Sequence, residues 1–167
     1  MRSVRRTRPP VEVRAGERLL AWAPVADGGW AAGTRDALYL PASRVPWEQV
    51  QAADWDREAG RLRVSEVGTW GEPRPRYVLT IPDSAAKDAD RLLQLVRERV
   101  TASVLLSRHV PVTGRRGVRI VARRAPSGHS DVQWLYEYDE GVDPDDPFVR
   151  AAAETALEAA KADVGVS

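Results

Sequence analysis

Cysteine is missing from this chain of 167 residues, methionine and phenylalanine occur once each, and of 25 basic residues only Lys87 and Lys161 are lysines. The first absence removes disulfides, thiolate metal sites and cysteine nucleophiles together, so the chain neither needs nor reveals an oxidising compartment. No apolar run approaches the roughly 18 to 20 residues of a spanning helix. The basic start "MRSVRRTRPP" leads into "VEVRAGERLL" rather than into an apolar signal core. The expectation is a cytoplasmic chain, neither secreted nor inserted in a membrane. The arginine excess is what a GC-rich genome produces, and it counsels against reading every arginine cluster as a binding site.

What is present suffices for one sizeable core, or one core with a small appended unit, since 43% of the residues are apolar. The formal net charge of +1 conceals segregation. Residues 1–18 carry Arg2, Arg5, Arg6, Arg8, Arg14 and Arg18 against Glu12 and Glu17, and residues 108–130 carry six arginines and no acid. From Glu137 onward nine acids face only Arg150 and Lys161. Such asymmetry either steers a charged partner or lets the two ends neutralise one another across the folded surface. The second reading needs no partner.

Residues 1–15, rich in Arg and Pro with little to bury, read as a disordered basic arm. "ERLLAWAPV" is a strand, "ADGG" a hairpin turn, "WAAG" a returning strand, "TRD" another turn and "ALYLP" a third strand. In "VPWEQVQAADWD" one or two strands follow, with Val45, Trp47 and Gln49 pointing opposite to Glu48 and Val50. "REAG" turns the chain into "RLRVSEV", and the Gly/Pro-rich "GTWGEPRP" leads to "RYVLTI". Six or seven short strands with turns every eight to twelve residues or so predict an antiparallel sandwich or barrel. A helix capped by Asp83 or Ser84 then carries Leu92, Leu93, Val96, Val100 and Val104 at helical spacing, ending near His109-Val110-Pro111.

That order, with "GTRDALYLP" and "RVPWEQV", resembles the bacterial pleckstrin-homology-like and GRAM-like domains, over roughly Glu17 to Arg108. The whole chain is also similar to an uncharacterised actinobacterial family without an assigned activity. The resemblance implies an α+β chain: an antiparallel PH-like β-sandwich or barrel with a following long helix over 16–110. It implies scaffold roles for Trp22, Trp30, Tyr39 and Trp47. Lipid-binding members place Lys and Arg in the first hairpin loop. Here that loop is "PVADGG", with an acid and no base, so phosphoinositide binding is not carried over.

Residues 111–167 extend beyond the resemblance as an appended hairpin and C-terminal helix. "RGVRIVARRAP" and "SDVQWLYEYDE" form a hairpin with Val118, Ile120 and Ala122 on one face, matched by Val132, Trp134, Tyr136 and Tyr138. In one register Arg119 opposes Glu137 and Arg123 opposes Gln133. Asp146 is the expected N-cap and Pro147 the first residue of the last helix. Phe148, Ala152, Thr155, Ala156 and Ala159, with Leu157, form a small-residue face suited to close packing. Hairpin and helix are too thin to stand alone, and they are expected to dock on the first unit or on a second copy.

Catalytic signals are poor. His109 and His129 stand outside any recognisable nucleophile motif and read as surface residues. Asp143, Asp145 and Asp146 could hold a hard divalent cation, but helix capping explains them first. There is no P-loop, dinucleotide fingerprint or zinc spacing, and no cofactor or metal is expected. Three function classes follow: a non-catalytic interaction or scaffold module with a protein partner or in a homodimer, a nucleic-acid or anionic-surface binder, and an enzyme of unrecognised type. The second would use Arg115, Arg116, Arg119, Arg123 and Arg124 with the arm, because phosphate binding needs such arginines.

Overall fold

The computed structural model describes residues 8–68, 75–128 and 130–165. Arg2, Arg5 and Arg6, most of "GTWGEPRP" and His129 lie outside them. The chain is α+β, with three antiparallel sheets and two long helices, and it divides into two compact units, 1–101 and 102–167.

In the first unit β1 (Ala21–Pro24), β2 (Trp30–Gly33), β3 (Ala37–Leu40) and β4 (Ser43–Pro46) form one sheet in chain order. The expected turn between β1 and β2 forms around Gly28 and Gly29, whose φ angles of 105° and 79° suit glycine. The "TRD" turn is held by Thr34. Its hydroxyl accepts the N–H groups of Asp36 (3.2 Å) and Ala37 (3.1 Å) and donates to Glu17 Oε1 (3.2 Å).

Of the one or two strands expected over 45–56 there are two, but the alternation expected through Trp47 and Gln49 is broken. Trp47–Gln49 forms a 3₁₀ turn, and the chain leaves the first sheet there for the second. Trp47 pins the switch: it is fully buried, and its indole N–H donates to Thr34 O at 3.0 Å. Burying that ring decides the local backbone over the two-residue alternation.

The second sheet runs β5 (Val50–Asp56), β6 (Arg61–Glu66) and β7 (Arg76–Thr80). After a 3₁₀ turn over Asp83–Ala85, with no side-chain cap, comes α1 (Ala86–Ser103). One apolar cluster gathers Leu38, Val45, Trp47, Leu62, Val64 and Leu79 from the two sheets and the turn joining them with Leu92, Leu93 and Val96 of α1.

A second cluster holds Leu19, Ala32, Ala37 and Tyr39, with Trp22, Val11 and Val13 packed on it. Part of the segment expected as a loose arm is therefore engaged: Pro9 is buried, and Arg14 N–H donates to the Tyr39 hydroxyl at 2.9 Å. Two valines and a proline provide the apolar contact that a tally of arginines overlooks.

α1 stops at Ser103 rather than near Pro111, because residues 104–113 form a strand, β8 (Val104–Thr113), paired with β9 (Arg116–Arg123). Val104, Val110, Val112 and Thr113 are β-branched, and the β9 ladder settles a stretch whose apolar spacing also continues the helical stripe. The join between units accordingly falls at 101/102 instead of 110/111. The expected hairpin becomes a three-stranded sheet, β8-β9-β10, with β10 (Gln133–Tyr138) at the other edge. Its register is the one anticipated, with Arg119 opposite Glu137 and Arg123 opposite Gln133.

The last helix is α2 (Pro147–Val164). Asp146 caps it, its Oδ1 accepting Phe148 N–H at 2.8 Å, and Pro147 stands at the first helical position. Its packed face coincides with the one expected only in part, at Ala156 and Leu157. Val149, Ala153 and Ala160 are buried, Ala153 and Ala160 in one cluster with Val118 and Ile120 on which Trp134, Tyr136, Ala156 and Leu157 pack, whereas Phe148, Thr155 and Ala159 are exposed. Two small-residue stripes share this alanine-rich helix, and the sheet selects the one centred on Ala153.

Candidate functional site

The five arginines proposed from sequence lie along β9 and just beyond both its ends, and they do not converge. Arg115 and Arg116 are exposed at the β8–β9 turn, where Arg116 lies so close over Gly141 that a Cβ there would stand 2.9 Å from Nη1. Arg119 is exposed in mid-strand, donates from Nη1 to Ser107 Oγ at 3.2 Å and has Glu137 as its cross-strand neighbour. Arg123 is only 4% exposed and donates to Ser103 Oγ at 3.3 Å. Burial pulls its pKa down, against the opposing charge of Glu137. Arg124 is half-buried, its backbone N–H bonded to Ser103 O at 2.9 Å. At about 3.3 Å per residue, the seven steps from Arg116 to Arg123 separate their Cα atoms by roughly 23 Å. Glu137 and Asp139 share the sheet face of Arg119 and Arg123, so that face alternates in charge.

The sheet also builds a pair that chain order hides. His109 on β8 and Asp139, just past β10, stand on either side of β9, and His109 Nε2 lies 2.7 Å from Asp139 Oδ2. Gly117 lies between them and makes the approach possible. It has no side chain to block the path, and its N–H donates to the same Oδ2 at 2.8 Å. A Cβ at Gly117 would fall on the Val110 carbonyl oxygen and 2.8 Å from Pro111 Cα, both backbone atoms. The His109 and Gly117 hydrogen bonds hold the Asp139 carboxyl below its ordinary value. Ser107, two residues away on the same face, bonds to Arg119 rather than to His109. The arrangement pairs an acid with an imidazole, and among the described residues no hydroxyl is bonded to that imidazole. Thirty residues separate the two, and the pairing of β9 with both β8 and β10 brings them together.

The DPDDP carboxylates are engaged locally. Asp143 Oδ1 accepts Asp145 N–H at 2.9 Å, Asp145 lies 3.5 Å from Arg150, and Asp146 caps α2. Among the described residues no group of three or more His, Asp or Glu side chains is placed to hold a metal ion.

A mostly apolar groove of about 470 Å³ runs along α2, lined by Phe148, Ala152, Thr155 and Ala159 and, from β8, Arg108 and Val110. Phe148, 69% exposed, stands at one end. At the other end of the helix, Arg108 Nη2 lies 2.6 Å from Asp163. No family model, curated protein or solved structure matches the chain. The groove holds the part of the small-residue stripe that stays open, Phe148, Ala152, Thr155 and Ala159, while Ala156 and Leu157 of that stripe pack toward the sheet. Its chemistry suits an apolar, closely approaching backbone, because small side chains let a second helix come within about 8 Å.

Proposed function

We propose that the chain is a non-catalytic interaction module of the cytoplasm that binds a protein through the α2–β8 face of its second unit. The observation that carries this reading is the single phenylalanine of the chain, exposed at the mouth of a mostly apolar groove beside the charged flank of α2. We further propose a PH-like first unit. Seven strands in two antiparallel sheets followed by α1 match the order that the resemblance calls for, and Val45-Pro46-Trp47 stands where the first sheet gives way to the second. The arginines of β9 favour nucleic acid less, since Arg123 is buried and Arg119 lies beside Glu137. His109 and Asp139 support an enzyme less, since the nearby Ser107 hydroxyl accepts from Arg119 and is not bonded to His109.

The test is binding by immobilised wild-type chain and by Ala159→Glu, which changes an exposed position. A discrete protein held by the wild type and released by the variant is expected. Equal retention by both would remove the groove from the binding surface.

A further inference from the structure

We infer that the occupant of the α2–β8 face is a second copy of this chain. The two copies join β8 to β8 antiparallel and lay their α2 helices side by side and antiparallel, Phe148 of each over Ala159 of the other. This rests on the reading of that face as a protein-binding surface and names its partner.

Three features converge on a two-fold arrangement. The first is the direction of the groove. At about 100° per residue, Phe148, Ala152, Thr155 and Ala159 fall within one narrow sector of α2. The exposed charges Arg150, Glu154 and Glu158 fall on the far flank, and the sheet-packed Val149, Ala153 and Ala160 lie between. Because Arg108 and Val110 line the same hollow, the uncharged sector faces along the sheet toward the β8 side.

The second is the edge itself. Among the described residues no strand pairs beyond β8, which is ten residues long. Asp139 N–H bonds to Gly117 O, so alternate residues of β9 from Gly117 onward turn their peptide groups to β10, and Val118, Ile120 and Ala122 turn theirs to β8. Their partners Val110, Arg108 and Leu106 therefore face inward. Ser107, His109 and Pro111 present their peptide groups at the open edge, and Pro111 occupies a position where its missing N–H breaks no ladder bond. A long edge beside an apolar helix flank is a template for another strand and helix.

The third is self-complementarity. A two-fold axis between Ala153 and Glu154 sets Phe148 against Ala159, Ala151 against Ala156 and Ala152 against Thr155 of the partner copy, so the one large side chain always meets a small one. A parallel arrangement would drive the two phenylalanines together and leave the alanine ends apart. The 18 residues of α2 span about 27 Å, and helix plus sheet is roughly 20 Å deep. The shared strip thus covers on the order of 500 Å² per copy, or about 1,000 Å² in all, at the lower limit of specific interfaces. The dimer is accordingly weak and concentration-dependent.

Sedimentation of the full wild-type chain from about 1 µM to about 1 mM brackets the affinities of such small interfaces. A monomer passing to a dimer is expected, and Ala159→Glu, which buries two unpaired carboxylates, should weaken it more than about 100-fold without altering the circular dichroism. The chain has no cysteine, so single thiols report the register. Phe148→Cys mixed with Ala159→Cys should form a disulfide-linked pair, whereas neither should link alone, since like positions lie about 16 Å apart and a disulfide needs Cα atoms within about 7 Å. A monomer throughout, or a dimer indifferent to Ala159→Glu, overturns the inference, as does linking of each variant alone as readily as of the mixture. If the wild type stays monomeric yet retains another protein that Ala159→Glu releases, the interaction reading stands and the second copy falls. If it does neither, both fall.

Discussion

Glu17→Gln removes a charge while keeping the shape of a side chain on which three others converge. The Glu17 side chain is 4% exposed and accepts hydrogen bonds from Arg44 Nη2 at 2.6 Å, from Thr34 at 3.2 Å and from the Tyr39 hydroxyl. Burial pushes its pKa up, but the bonds from Arg44, Tyr39 and Thr34 and the charge of Arg44 outweigh it, and the carboxyl lies below its ordinary value of 4.5. Breaking a buried pair costs about 3 to 5 kcal/mol, much of it for the charge left behind. Arg44 retains 21% exposure and can turn partly to water, which places the loss near the lower end, about 3 kcal/mol. For a unit of this size that lowers the melting temperature by on the order of 15 °C.

The sign of the pH dependence follows from the depressed pKa. The stabilisation is present above the unfolded-state value and disappears as pH falls through the lower folded-state value. Denaturant unfolding of both proteins at neutral pH and at successively lower pH should show the gap closing below 4.5. Equal stability at pH 7, or a gap unchanged at about pH 2, would refute the assignment of Glu17 as the charged centre of this cluster. Replacing Glu17 and Arg44 together by Leu and Met should cost less than either single change, since no orphan charge then remains.

Trp47→Ala should cost about 4 kcal/mol, since the ring is fully buried, while Trp22→Ala should cost distinctly less because Trp22 is half-buried; equal denaturation midpoints for the two variants would contradict this order. Gly117→Ala forces β8 away from β9 and should lose about 2 to 3 kcal/mol. It should also break the His109–Asp139 contact, seen by NMR as a rise of the Asp139 pKa toward its ordinary value, and an unperturbed Asp139 titration would show that a Cβ is accommodated.

Local chemistry made much of the fold legible. Alternation and turn residues located most of the strands, the Arg119–Glu137 register followed from matching the apolar faces of a hairpin, and Asp146-Pro147 announced the start of α2. These signals act over a few residues, and no distant partner competes with them. Where two local periods fit the same residues, the tertiary structure decided. Residues 104–113 extend the helical stripe of α1 and also suit a strand, and only the ladder with β9 resolves them. Trp47 breaks its strand because its ring has a buried place to go. Asp139 finds His109 through a gap left by Gly117, a contact that no spacing encodes. By itself the sequence determined that α2 would carry a small-residue face. The fold decided which part of that face meets the sheet, because burying Val149, Ala153 and Ala160 turns Phe148 and Ala159 outward.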